Sequence, residues 1–188
     1  MKNTEYILYL DMDGVLVDFE GGYQKKYGKT IKEVAEEEGN KAAYDKWLAS
    51  GIQFWANLDW LHGGQELLKT ATGLFERVGI LSSAGSTDPD KFNMAKTGKL
   101  LWLKKNAPSL NQSDIHIVER KYKKKLYASK SSILVDDVPG TIKEFNQAGG
   151  YGVLHDYRRY KKTIETLEDV ARPMNLSEIV KRIRRWYL

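Results

Sequence analysis

The chain has 188 residues, enough for one sizeable core and one active site, and its 41% hydrophobic and 29% charged content is that of a globular protein rather than a disordered one. It has no cysteine, which excludes disulfides, thiolate metal sites and cysteine nucleophiles and leaves oxygen or imidazole to hold any metal. No apolar run approaches the roughly 18 residues of a membrane span, and the formal net charge of +5 favours anionic partners without choosing between a phosphorylated small molecule and nucleic acid.

The amino terminus, MKNTEYILYLDMDG, lacks the small-residue cleavage region of a signal peptide, so a cytoplasmic location is expected. Residues 6–10 form a short apolar run rich in β-formers, the pattern of a strand buried on both faces of a parallel sheet. From Gly21 to about Lys69 the pattern turns helical. Thr30 and Glu33 have capping-box spacing, Gly39 can close that helix, and residues 41–49 suggest another.

Residues 74–81 return to a strand, and Asp88-Pro89 opens a long helix reaching about Asn106. Residues 115–118 and 133–135 are two more short strands. Thr141 and Glu144 repeat the capping-box spacing before a helix that Gly149 and Gly150 end, and Val153 and Leu154 belong to a fifth strand. In the tail, Ile179, Val180, Ile183 and Trp186 recur at helical spacing among basic residues, as in a terminal helix that covers the sheet. Strands alternating with helices predict an α/β fold with a mostly parallel sheet, whose ligands sit beyond the carboxyl ends of the strands.

Chemistry is therefore sought just after each apolar run. The first is followed by DMDGVLVDF, where Asp11 and Asp13 can point to the same side of an extended backbone and Gly14 allows a sharp turn. Two carboxylates so close need a cation, a shared proton or an electrophile between them. In isolation this could equally be a turn or cap pair. The second run is followed by Ser82 and Ser83 in a small flexible loop suited to a phosphate. Asp136 and Asp137 follow the fourth, and the cationic stretch 120–125 precedes it, offering a lysine among mostly solvated charges.

Two acids, a hydroxyl, a lysine and two more acids, in that order, resemble the four motifs of the haloacid dehalogenase-like superfamily. Within it, DMDGVLVDF, residues 54–68 (FWANLDWLHGGQELL), the segment around Lys99 and Trp102, and ILVDD at 133–137 are similar to the 5'(3')-deoxyribonucleotidases and their bacterial and phage relatives. The resemblance implies a Rossmann-like three-layer α/β/α core from residues 1–19 and 70–188, with a small helical cap at 20–69.

It also implies a magnesium-dependent hydrolase of phosphomonoesters, with (deoxy)nucleoside monophosphates as substrates. Asp11 would be the nucleophile and Asp13 the acid and base. Asp11, the backbone carbonyl of Asp13 and Asp136 would hold Mg2+, with Asp137 acting through water or as an orienting group. Ser82, Ser83 and one lysine would bind the phosphoryl oxygens. Lys125 is the choice from its distance before ILVDD, with Lys121, Lys123 and Lys124 as alternatives. Phe19, Phe54 and Trp55 would line the nucleotide pocket. No membrane role and no nucleic-acid role is expected, and the reading admits a homodimer.

Ser82-Ser83-Ala-Gly stands where Thr-Ser-Pro is common in that family, and Val138 follows the acidic pair, so another phosphorylated metabolite or a polynucleotide end remains open as substrate. A binding module, with the acids structural and the basic runs on nucleic acid, is the competing class. It lacks a recognisable nucleic-acid motif.

Overall fold

The structure is a computed structural model that describes residues 2–172. The terminal helix expected from residues 176–188 lies outside the described residues. A single sheet of five parallel strands has the order β3-β2-β1-β4-β5, with β1 Asn3–Leu10, β2 Phe75–Ser83, β3 Ile115–Val118, β4 Ser132–Asp136 and β5 Tyr151–Leu154. The chain leaves β1 first toward β2 and β3, then returns to its other side for β4 and β5. That reversal makes the carboxyl ends of β1 and β4 the topological switch point.

Side chains alternate across the sheet with period two, so β1 serves two cores. Leu8 and Leu10 pack on one face with Leu67, Trp102 and Leu167, while Tyr9 packs on the other with Leu81, Leu134 and Phe145. Both faces are covered, as the unbroken apolar runs of the strands require. Helices α5 (Gly64–Leu74), α6 (Pro89–Asn106) and α8 (Tyr160–Ala171) contribute to the first layer, and α7 (Pro139–Gln147) to the second.

Between β1 and β2 lie four further helices, α1 (Phe19–Tyr27), α2 (Ile31–Glu38), α3 (Asn40–Leu48) and α4 (Ile52–Ala56). Thr30 and Glu33 form the reciprocal capping box that starts α2. Tyr23, Val34 and Ala43 make a small core of their own, with Trp47 and Phe54 packed against it. Asp88 caps α6 through the Lys91 amide, with Pro89 in the first turn.

The second expected capping box is absent. Helix α7 begins at Pro139, so Thr141 already lies inside its first turn and Val138 occupies the cap position without a side-chain bond. Proline's fixed φ suits the first helical position, and it overrides the Thr141–Glu144 spacing. Helix α8 follows the fifth strand and had no counterpart in the sequence reading. Among the described residues no helix is long and apolar enough to cross a membrane.

Helix α6 approaches α4 closely at Gly98, where an added Cβ would collide with the Cβ of Trp55 and lie 2.6 Å from the Ile52 carbonyl oxygen. One of those neighbours is backbone and cannot swing aside. Gly98→Ala is therefore expected to cost about 1–3 kcal/mol by overpacking despite alanine's better helix propensity. Urea unfolding of the variant beside wild type measures this, and an unchanged midpoint would contradict it.

Candidate active site

Asp11 follows directly on β1, and its amide donates to the Val135 carbonyl, 3.0 Å away on β4. The turn beyond it is closed by bonds from the Leu16 and Val17 amides to the Met12 carbonyl. Gly14 has φ +75°, and a Cβ there would meet the Asp137 carboxylate. Glycine thus serves both the left-handed backbone and the close approach of this turn to the β4 end. Asp11, Asp13, Asp136 and Asp137 are brought to one place by two neighbouring strands.

Two buried lysines enter among these acids. Lys124, 2% exposed, lies 2.6 Å from Asp11 and 2.7 Å from Asp136. Lys99, 1% exposed, donates to Asp13 Oδ2 at 2.5 Å and to Ser82 Oγ at 2.9 Å, with its ammonium 5.0 Å from the centroid of Trp55. Burying an ammonium is costly unless it is paired, and each is paired with carboxylate.

The lysine assignment is corrected here. Lys125 points away, 3.7 Å from Glu144 and half-exposed, while Lys124 reaches the acids. The basic stretch folds as a 3-10 turn, Lys121–Tyr127. With three residues per turn, neighbouring lysines face very different directions, so distance along the chain did not single out the inward one. Lys99 was not assigned a role at all. Its signal was there: it shares the buried face of α6 with Ala95, Trp102 and Leu103, and a lysine on an apolar stripe implies a buried anion.

The two serines divide. Ser82 is fully buried under Lys99, whereas Ser83 lines the open cavity and accepts from the Gly85 amide. The aromatic assignment also changes. Phe19 lines the cavity, but Trp55 is buried behind it in a parallel stack at 5.4 Å, and Phe54 packs edge-on to both. Tyr44 and Trp47 of α3 line the cavity instead. Trp47 packs edge-on to Phe19, and the Tyr44 hydroxyl bonds the Gly85 carbonyl and receives the Arg120 guanidinium.

Burial pushes the Asp11 carboxyl up, but Lys124 and then Lys99 outweigh it and hold Asp11 below its ordinary value. Burial dominates at Asp13 and raises it against the pull of Lys99. Its Oδ1 is buried with no hydrogen-bond partner. The carboxyls of Asp11 and Asp13, two residues apart, are thereby shifted in opposite directions.

Asp136 is pushed up to about 6 and Asp137 to about 7, in both cases by burial first and then by the neighbouring acids. Asp11, Asp136 and Asp137 each offer an oxygen within 4.8 Å of the others. An all-oxygen set under mutual repulsion fits a hard divalent cation such as magnesium. The Asp13 carboxylate is turned to Lys99 and is not one of this group.

These residues open on a cavity of about 1410 Å³. Its lining includes Phe19, Tyr44 and Trp47 and residues of β5, α8 and the turn between them.

No protein-family model matches the chain, and no curated protein matches it. Solved structures similar to it include a hydrolase from Streptococcus pneumoniae TIGR4, at 15% identity over 86% of this chain and 100% of that one, with a TM-score of 0.45. A HAD-superfamily hydrolase from Ehrlichia chaffeensis is 15% identical over 89% and 98% of the two chains, with a TM-score of 0.47. Another, of subfamily IA from Geobacter sulfurreducens, is 14% identical over 86% and 97%, with a TM-score of 0.47.

Protons and a cation compete for Asp136 and Asp137. Because their folded values lie above the ordinary 3.8, the native chain holds protons that the unfolded chain has released, and these two groups destabilise it as pH rises from about 4 to about 7. His155, lowered from 6.5 to about 4 mainly by burial, acts in the opposite sense between those values. Only the carboxylates bear on metal. The rise in melting temperature caused by magnesium is therefore expected to be small at pH 5 and larger at pH 8. Asp136→Asn should abolish the difference, and an increment independent of pH would contradict the assignment.

Proposed function

We propose that this chain is a magnesium-dependent phosphomonoester hydrolase of the haloacid dehalogenase-like superfamily, working through an aspartyl-phosphate on Asp11. We further propose (deoxy)nucleoside monophosphates as its substrates. The observation that carries the reading is geometric: Asp11 is paired with buried Lys124 and grouped with Asp136 and Asp137, while Asp13 beside it, raised above its ordinary value by burial, is held by Lys99.

The Asp11 carboxylate attacks phosphorus as the bond to the leaving oxygen breaks, and Asp13 gives its proton to that oxygen. In the second step Asp13, now a base, takes a proton from water as the water attacks phosphorus and the bond to Asp11 breaks, which frees the Asp11 carboxylate and inorganic phosphate. Bound among Asp11, Asp136 and Asp137, magnesium would supply positive charge for the phosphoryl oxygens. Lys124 supplies a second positive charge from the chain itself. Ser83 lines the cavity where a phosphoryl group would lie, and its hydroxyl can donate there. Lys99 orients Asp13 and Ser82 together.

The nucleotide reading rests on Phe19, Tyr44 and Trp47, whose rings line the cavity and can stack on a base. The helices that carry them, within the stretch read as a cap at residues 20–69, would close over the phosphate in this view.

Asp11→Asn is expected to keep the fold and lower kcat for phosphate release by about 10³-fold or more. Lys124→Met should cost about 10²–10³-fold, while Lys125→Met should stay within about twofold, as at other surface positions. Equal losses for the two lysines in steady-state assays would overturn the assignment of Lys124.

Trp47→Ala should raise KM for deoxynucleoside monophosphates about fivefold or more and leave KM for a small aryl phosphate nearly unchanged. A panel of nucleotides and sugar phosphates, with magnesium and with chelator, tests the substrate class. Release only from other phosphates would retain the chemistry and reject the nucleotide.

A further inference from the structure

The cavity is larger than a nucleoside monophosphate needs, since pockets for ligands of that size run to about 300–1000 Å³. Besides the aromatics, its lining includes the end of β5 and the start of α8. There the wall carries Arg158, Arg159 and Lys162, with Asp156 as the one acid among them. Asp156 is bonded by both arginines, at 3.0 and 3.2 Å, which leaves the group with a surplus of positive charge.

This wall is built rather than incidental. Tyr160 packs edge-on to His62 and bonds Glu66, and Gly63 leaves room for its ring, so the start of α8 is pinned to α5. The cap residue of α8 is Arg159, with no side-chain bond to the free amides of the first turn. Those amides, the helix dipole and the basic side chains favour an anion at the same place.

Two buried polar groups on the cavity wall point independently to a ligand. His155, 4% exposed, bonds Thr163 through Nδ1, and its Nε2 has no partner. Thr141, 5% exposed, has an unpartnered hydroxyl. Buried polar atoms in native proteins are rarely left unbonded, so such a pair beside one cavity marks a place where something polar binds.

We propose that this basic arm is a second anion subsite, and that the substrate carries, besides the phosphate that is hydrolysed, a further phosphate on its leaving group. The inference rests on the hydrolase reading above. His155 directly follows β5, two strands from that of the nucleophile, and its amide donates to the Asp136 carbonyl at 2.9 Å. Two strand spacings of about 4.8 Å set the distance from Asp11, roughly the span of one nucleoside. A nucleoside bisphosphate and the phosphorylated end of an oligonucleotide share this chemistry. Leu154 and Tyr157, 52% and 44% exposed at the rim of the arm, offer an apolar surface beside it.

The test measures binding by calorimetry, with magnesium, to the Asp11→Asn protein. The probes are deoxythymidine 5'-monophosphate, deoxythymidine 3',5'-bisphosphate and a 5'-phosphorylated thymidine dinucleotide. The bisphosphate is expected to bind about tenfold more tightly than the monophosphate, as for a hydrogen-bonded charge contact. Adding Arg159→Ala and Lys162→Ala should bring the ratio near one, and Lys162→Arg should restore much of its share.

A dinucleotide that gains as much as the bisphosphate would identify a polynucleotide end, and gain by the bisphosphate alone would identify the small molecule. Equal affinities for all three probes, no binding of the bisphosphate, or equal weakening of all three in the double variant would overturn the subsite. Phosphate release by the wild-type chain is read separately: its absence defeats the hydrolase, whereas its presence with no preference for a second phosphate defeats only the subsite.

Discussion

Four carboxylates crowd the carboxyl ends of β1 and β4, and the site depends on how their repulsion is relieved. Lys99 and Lys124 supply two positive charges, both almost fully buried, which leaves a formal excess of two negative charges when all four acids are ionised. The protein resolves this unevenly. Asp11 feels both ammoniums and is held below its ordinary value, while Asp13, Asp136 and Asp137 are pushed toward their protonated forms. A divalent cation would remove the remaining conflict, and a phosphate would then meet positive charge on several sides.

Each lysine also ties the site to a different part of the fold. Lys124 comes from the turn before β4 and closes the gap between β1 and β4. Lys99 comes from α6, where Gly98 lets α4 approach, and its ammonium lies over Trp55, which stacks on Phe19. The cavity wall made by the inserted helices and the orientation of Asp13 therefore share one packed chain of contacts. A change at Trp55 is a change to that chain rather than to a surface that substrate touches.

Much of this was legible in the sequence where local rules and tertiary context agree. The apolar runs of β1 and β3, the Thr30–Glu33 box and the Asp88-Pro89 start follow from pattern and capping chemistry alone. Asp11 and Asp13 could be read as a pair because the strand before them is short and unmistakable. The failures occurred where a third dimension decides. Lys124 and Lys125 differ only by a rotation within a 3-10 turn. Trp55 is buried and Trp47 lines the cavity instead because the helices between β1 and β2 pack by shape, which spacing does not reveal. Thr141 lost its cap to Pro139, and α8 is amphipathic in a stretch whose flanking charges hid it.

The position of β1 has a consequence for synthesis on the ribosome. Its carboxyl neighbour β4 pairs Ile7 with Ser132 and Leu10 with Val135, so the nucleophile strand waits for more than a hundred later residues before its second edge is covered. Until then a strand apolar on both faces has one open row of amides and carbonyls, the geometry that invites pairing with another chain. Such long-range parallel pairing is slow to form. The same central placement that gathers acids from two strands thus leaves that edge open during elongation until β4 is made.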